Sequence, residues 1–246
     1  MRCINLDAPE IIYLRRRIIQ EKRFLCRIYE EWYQALFNYL PEGNGSVLEI
    51  GAGAGFFKKF LPGVITSECF YISDIDLVLD AGYLPFANGS LKAIVMTDVF
   101  HHLPEPRLFL REAVRCLRPG GVMLMVEPWV TSWSHFVYSK FHHEPFRLDS
   151  KQWEFASEGP LSGANGALPW IVFHRDRKQF ENEFPRLRIS RIEPIMPFRY
   201  LLSGGVSLIS LQPGWAFGFW RFLESLLARW MDSCAMFAKI VLVKND

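Results

Sequence analysis

Paired cysteines are missing from this sequence, and so is any strong excess of charge. Cys3, Cys26, Cys69, Cys116 and Cys234 stand far apart with no C-x-x-C pair. That spacing argues against a disulfide framework and against a structural zinc site. The formal net charge is only +2, too small to draw nucleic acid by electrostatics, so no nucleic-acid partner is expected. No uncharged apolar run reaches the roughly 18 residues of a spanning helix. Asp7, Pro9 and Glu10 stand where a secretion signal needs an apolar stretch, so the chain is expected in the cytoplasm. Internal repeats and low-complexity tracts are absent as well.

What is present is a core. Half of the 246 residues are hydrophobic and 22% are charged, a balance that favours one folded α/β domain with insertions over disorder. Aromatic residues reach 15%, with 21 Phe and 8 Trp, and they concentrate toward the C-terminus.

Residues 1–43 read as an N-terminal helical segment. Ile11, Ile18, Leu25, Trp32 and Tyr39 recur at every seventh position, with Tyr29 and Leu36 beside them. Arg16, Gln20, Arg23, Arg27 and Gln34 fill the opposite face, which predicts one helix over 9–40; Arg15-Arg16-Arg17 reads as a solvated helix face, with contact to anionic lipid or an acidic substrate as the alternative. Residues 44–246 then alternate strand and helix, the mark of a mostly parallel sheet covered on both faces. Expected strands are 47–50, 70–75, 76–80, 92–97, 122–126, 187–195 and 237–243. A helix through Phe57 and Phe60 to Leu61 is expected after the first strand, and another over 107–117 before the Arg118-Pro119-Gly120-Gly121 stop. The alternation lapses at about 128–175 and 196–235, which read as insertions.

The first strand feeds Gly51-Ala52-Gly53-Ala54-Gly55. A strand running into a glycine loop that opens a helix offers backbone N–H groups to a ligand. A dinucleotide fingerprint requires its third glycine at position 56, where this chain has Phe56; the spacing here is G-x-G-x-G, preceded by Glu49. That disfavours a nicotinamide-dependent oxidoreductase.

Val47 through Gly55 resembles motif I of class I S-adenosylmethionine-dependent methyltransferases. Asp80-Ala81-Gly82-Tyr83-Leu84-Pro85-Phe86 is similar to that family's D-A-x-x-L-P-F segment. Asp98-Val99-Phe100-His101-His102-Leu103-Pro104 resembles the stretch after its fourth strand, and Leu117 to Gly121 its L-x-P-G-G turn. The resemblance covers residues 45–128 and implies a Rossmann-like, seven-stranded, mostly parallel sheet with S-adenosyl-L-methionine as cofactor. It further implies that Gly51, Ala52, Gly53 and Gly55 let the backbone approach the methionine part of the cofactor. Glu49 and the Thr97 carbonyl would meet its ammonium. Asp80 and the Ala81 N–H would meet the adenine. The acid closing strand two would hold the ribose hydroxyls, and Asp74 is preferred there over Asp76.

Methyl transfer from a sulfonium asks mainly for alignment and exclusion of water, so no universal catalytic residue is expected. His101, His102, Glu127 and Trp129 fall where strands four and five open onto the substrate side. The first three are candidates for proton transfer. His135, His142, His143 and Glu144 lack metal-ligand spacing, adjacent histidines usually diverge, and no metal is expected. Phe198, Tyr200, Trp215, Phe217, Phe219, Trp220 and Phe222, with the N-terminal helix, are expected to form a cap over a small, apolar acceptor methylated on oxygen or carbon. The same aromatics suit peripheral contact with a membrane. A cofactor-binding subunit without turnover is the alternative on this fold, and the oligomeric state stays open.

Overall fold

The computed structural model describes residues 8–141, 144–157, 159 and 163–246; Cys3, His142, His143 and Ser162 lie outside them. Seven strands form one sheet: β1 (Ser46–Ile50), β2 (Ile65–Glu68), β3 (Leu77–Val78), β4 (Leu91–Thr97), β5 (Leu117–Pro128), β6 (Leu187–Ile195) and β7 (Phe237–Lys244). Their order is β3-β2-β1-β4-β5-β7-β6. Pairings from β3 across to β5 are parallel, and β7 runs antiparallel to both β5 and β6.

Period-two alternation along each strand sends side chains into two separate cores. Leu48, Ile50, Ile94, Met96, Met123, Met125, Ile240 and Leu242 enter one. Val47, Ala93, Val95, Val122, Leu124, Val126 and Val241 enter the other. Strands buried on both faces read as near-continuous apolar runs, which is why β4 and β5 are so plain in the sequence. Helix α3 (Pro106–Cys116), the short α5 (Leu168–Trp170), the π-type turn Ile171–Arg175 and α6 (Arg177–Glu183) cover the first face through Phe109, Leu110, Phe173 and Phe180. Helices α1 (Glu10–Glu21), α2 (Arg23–Asn38), α4 (Ser132–Phe141) and α8 (Phe217–Leu226) lie on the second, with α7 (Arg199–Ser203) and α9 (Met231–Cys234) completing the insertions. Phe24, Leu25, Ile28 and Trp32 of α2 are at most 1% exposed. Each such burial is worth about 1.5–3 kcal/mol, so the N-terminal helices share the core of the sheet.

Three expectations need correction. The N-terminal helix is two helices, because the backbone at Lys22 leaves helical geometry (φ −79°, ψ 86°). No α-helix follows the glycine loop, only a single 3₁₀ turn, Phe57–Lys59. Strand two is Ile65–Glu68 rather than 70–75; residues 70–75 form a loop whose packing onto α1 (Ile72 against Ile11 and Ile12) supplies the apolar pattern that mimics a strand.

Candidate functional site

The strand order reverses between β1 and β4, and in open α/β sheets ligands bind in the crevice outside the carboxyl ends of the strands at such a point. A cavity of about 590 Å³ opens there. Ile50 and Gly51 after β1, Glu68 ending β2, Thr97 and Asp98 at β4, and Pro128 at β5 all border it. Asp80, Ala81 and Gly82 line it from the loop after β3. Ile12 and Arg15 of α1 with Tyr29 and Tyr33 of α2 form another wall. Tyr138, Phe141, Glu144, Phe146, Tyr200 and the 204–208 segment enclose the remainder.

The glycine loop is shaped by protein contacts as much as by any ligand. A Cβ at Gly55 would lie 1.9 Å from the Tyr33 hydroxyl, one at Gly53 would meet Glu68 and Ile12 at 2.7 and 2.8 Å, and one at Gly51, where φ is +69°, would strike Val99 at 2.4 Å. Arg16 donates from Nε and Nη2 to the Gly53 carbonyl at 3.1 and 2.7 Å, so this arginine clamps the loop instead of lying on a solvated face. The Ala52 N–H donates to the Ser67 carbonyl at 3.0 Å, tying the loop to β2.

Of the residues expected to meet the cofactor, Gly51, Gly55, Asp80, Ala81 and Thr97 border the cavity. Glu49 lies just behind it on β1, 4% exposed. Burial first, and the neighbouring Glu68 charge second, push its carboxyl up to about 8 against a smaller pull from Lys58. Its Oε2 and the Thr97 hydroxyl are buried atoms with no hydrogen-bond partner among the described residues. Asp80 uses Oδ1 to accept from the Gly82 N–H at 2.7 Å.

Asp74 does not fit. It sits on the exposed loop at φ +71°, its side chain 79% exposed and 3.5 Å from Arg16. Asp76 is committed elsewhere, accepting from Lys58 Nζ, Thr66 N and Thr66 Oγ1 at 2.8–2.9 Å. The Lys58 hydrogen bond, then that from the Thr66 backbone, hold it at about 2. The acid that closes β2 is Glu68, which accepts from Gly53 N at 3.0 Å and Cys69 N at 3.1 Å. The missed signal was the Pro62-Gly63 turn followed by Val64-Ile65-Thr66, a β-branched run that marks the true strand start.

On the other side, His101 and Glu127 form a buried dyad: Nδ1 donates to Oε2 at 2.8 Å with 1% and 0% of the side chains exposed. Glu127 Oε1 also accepts from Val99 N and Phe100 N at 2.9 and 2.7 Å. Neither residue borders the cavity, unlike the adjacent His102. Burial opposes a charged His101, but its hydrogen bonds to Glu127 and Glu144 and the charge of Asp98 overcome it and raise the ring well above 6.5. Asp98, at φ +61° on the cavity edge, is raised by burial to about 6 against the pull of His101. His102 does border the cavity and donates from Nδ1 to the Gly163 carbonyl at 3.1 Å. Burial, then the charge of His101, lower it to about 4. Trp129 is buried in the core, and His135 packs against Phe146 at a centroid distance of 6.3 Å.

The aromatic cap is also corrected. Tyr200 borders the cavity, but Phe217 is buried against Phe24. Trp215, Phe219 and Phe222 face solvent, 84%, 59% and 61% exposed.

Residues 48–125 match the family model of a methyltransferase domain. Over this stretch the chain is similar to class I methyltransferase domains. Three solved structures share this methyltransferase fold. One is a chain of the complex between the Haloferax volcanii Trm112 methyltransferase activator and its methyltransferase, 14% identical over 98% of each chain, TM-score 0.55. Another is geranyl diphosphate C-methyltransferase from Streptomyces coelicolor A3(2), solved with Mg2+, geranyl diphosphate and S-adenosyl-L-homocysteine. It is 14% identical over 94% of this chain and 82% of that one, TM-score 0.52. The third is YcgJ from Bacillus subtilis, 15% identical over 88% and 99%, TM-score 0.52. No curated protein matches the sequence. S-adenosylmethionine is the cofactor of methyltransferase domains of this class. The unpartnered Glu49 carboxylate oxygen and Thr97 hydroxyl, buried at the ends of β1 and β4, suit an ammonium donor such as its methionine end.

Proposed function

We propose that the chain transfers a methyl group from S-adenosylmethionine to an oxygen or carbon of a small, apolar acceptor. The observation that carries this reading is a single cavity with two unlike halves. One half is made of strand ends bearing Glu68 and Thr97 and the loop bearing Asp80, with Glu49 buried just behind them. The other is made of inserted segments bearing Val137, Tyr138, Phe141, Phe146 and Tyr200.

When bound, S-adenosylmethionine would supply an activated methyl group on a sulfonium, and the acceptor would give up its proton to solvent as it takes the methyl. The protein's own residues bind and orient. Glu49 and Thr97 would accept from the ammonium, Glu68 from the ribose hydroxyls, and Asp80 with the Ala81 N–H would meet the adenine. Tyr138, Phe146 and Tyr200 exclude water from the acceptor side, and His102 and Glu144 are the polar groups there that orient the acceptor. His101 and Glu127 position His102 and the Val99–Phe100 backbone.

Calorimetric titration should give one equivalent of S-adenosylmethionine bound and no response to NAD. Incubation with methyl-labelled cofactor and a panel of apolar phenols and enolisable carbonyl compounds should then move label into an extractable product. Tight cofactor binding with no label on any acceptor would leave a binding subunit on this fold.

Delivery of such an acceptor from a lipid surface has its own support. Trp215, Phe219, Phe222, Leu226 and Trp230 are each at least 57% exposed along α8 and its flanking turns, with the exposed Arg221 and Arg229 between them. An apolar stripe flanked by arginines is the pattern of a helix lying in a membrane interface; no helix among the described residues is long and apolar enough to cross one. Anionic vesicles should co-sediment the wild type, and Phe219→Asp with Phe222→Asp should abolish this without lowering Tm. Unchanged co-sedimentation by the double variant would remove the stripe from the proposal.

A further inference from the structure

Adjacent histidines usually diverge, yet His101 and His102 converge here. The 3₁₀ turn Phe100–His102 brings their rings to a centroid distance of 4.2 Å. Each ring engages its Nδ1 behind it, His101 with the Glu127 carboxylate at 2.8 Å and His102 with the Gly163 carbonyl at 3.1 Å. Both acceptors fix the proton on Nδ1 and turn Nε2 the other way. Glu144 stands on that side, its Oε2 3.6 Å from His101 Nε2 and its Oε1 4.0 Å from His102 Nε2. One ligand atom from each of the three residues lies within 4.8 Å of the other two.

We infer that His101, His102 and Glu144 form a binding site for one divalent first-row transition-metal ion at the acceptor end of the cavity. Ligands about 2.1 Å from a common ion lie ~3.0 Å apart when at right angles and ~4.2 Å apart when opposed. The two His–Glu separations fall inside that span, so small side-chain rotations close the site. The outer contacts carry the second argument. Metal-bound histidines characteristically donate their other N–H to a carboxylate or a backbone carbonyl, which fixes ring orientation and tautomer; this site has one of each.

Two imidazoles and one carboxylate suit zinc, iron or manganese, whereas magnesium and calcium prefer an all-oxygen shell. His102 and Glu144 border the cavity while His101 lies behind them, so the remaining coordination positions face the acceptor. On the methyl-transfer reading, on which this last step rests, the ion would hold an acceptor oxygen and favour its deprotonated form. The acceptor class narrows accordingly to phenols, enols and carboxylates.

Chelator-treated, dialysed protein should be titrated with Zn2+ against a chromophoric competitor, and with Co2+ while its visible absorption is followed. The expected result is one equivalent of each, with Co2+ bands of a protein-bound, low-symmetry site. Glu144→Gln and His102→Ala should each abolish stoichiometric binding, and Glu127→Gln should weaken it roughly 10- to 100-fold, with circular dichroism confirming that each variant folds. Absence of an equimolar site, binding indifferent to both ligand variants, or binding of Mg2+ but not Zn2+ would each overturn the inference. Cofactor calorimetry on the same metal-free protein separates the two readings. Cofactor bound without any metal site sinks this inference alone, and a metal site without cofactor binding sinks the methyl-transfer reading alone.

Discussion

Replacing Glu68 with Gln is the sharpest test of where the cofactor's ribose lies. Glu68 ends β2 beside the cavity, spends one lone pair of Oε1 on Gly53 N, and at Oε2 accepts from Cys69 N and, at 3.6 Å, from the Cys69 thiol, a weak contact that a hydroxyl can displace. Each carboxylate oxygen retains acceptor capacity, which is what two vicinal hydroxyls require. Glutamine keeps the shape and one acceptor, so the Gly53 contact can survive while the charge and the second acceptor are lost. A hydrogen bond to a charged group contributes about 1.5–3 kcal/mol, so the Kd for S-adenosylmethionine should rise roughly 10- to 150-fold. The matched control is Asp74→Asn, on an exposed loop and in contact with Arg16 at 3.5 Å and the Ser73 hydroxyl at 3.4 Å, which should change Kd less than about twofold. Isothermal titration calorimetry with S-adenosylhomocysteine reads both without turnover, and Tm reports whether the loop survives. If Glu68→Gln binds like the wild type while Asp74→Asn binds weakly, the placement of strand two does not define the ribose site and the reasoning fails.

Glu49 holds its proton in the folded chain to about pH 8, against an ordinary 4.5. The stability this contributes is fully present below pH 4.5 and lost as pH rises through 8, with a slope of up to about 1.4 kcal/mol per pH unit between them; denaturant titrations of the wild type and Glu49→Gln should run parallel below pH 4.5 and diverge above it as the wild type alone loses stability. Cofactor binding at pH 7 should release a proton from Glu49, seen as a buffer-dependent calorimetric enthalpy that Glu49→Gln lacks. Gly55→Ala drives a Cβ into the buried Tyr33 hydroxyl at 1.9 Å and should cost about 1–3 kcal/mol, whereas Gly63→Ala, with nothing within 4 Å, should stay within about 0.5 kcal/mol; thermal melts decide. Glu224 accepts from Phe198 N, Arg199 N and Arg199 Nε in a site where both side chains are at most 5% exposed. Glu224→Ala leaves the Arg199 charge with only Glu31 and should cost about 3–5 kcal/mol, measured by urea unfolding; a loss under 1 kcal/mol would show that the pair is not holding α8 down.

The strands and glycine loop beside the cavity were legible in the sequence because they are built from local patterns. Val47–Ile50 and Lys92–Thr97 are apolar runs that announce strands buried on both faces, and the Gly51–Gly55 spacing lies within one turn of chain. Asp74 was misread for a physical reason: the run Phe70–Ile75 is apolar because Ile72 packs under α1, a tertiary contact that imitates a strand. The acceptor side depends on contacts between distant segments. Glu144 meets His101 and His102 across more than forty positions, through a turn held by Asn165, which accepts from Arg147 N and donates to its carbonyl at 2.9 and 3.1 Å. The outward face of α8 was equally hidden, since its aromatic spacing is what either a buried or a surface-docking helix would show.

The missing helix after the glycine loop changes how the cofactor end must be stabilised. A helix N-terminus would present aligned N–H groups and half a positive charge to the ligand; one 3₁₀ turn supplies neither. In its place Arg16 clamps the Gly53 carbonyl, Tyr33 seats against Gly55, and Ile12 and Glu68 close on Gly53. Order in the loop therefore comes from α1 and α2, the two helices that precede β1. Arg16 is central to this arrangement because its guanidinium makes two hydrogen bonds to one carbonyl and also approaches Asp74. In a chain of this design the N-terminal helices wall the cavity and hold the glycine loop, so on the methyl-transfer reading they belong to the proposed cofactor site. Loosening α1 should accordingly weaken cofactor binding before it unfolds the sheet.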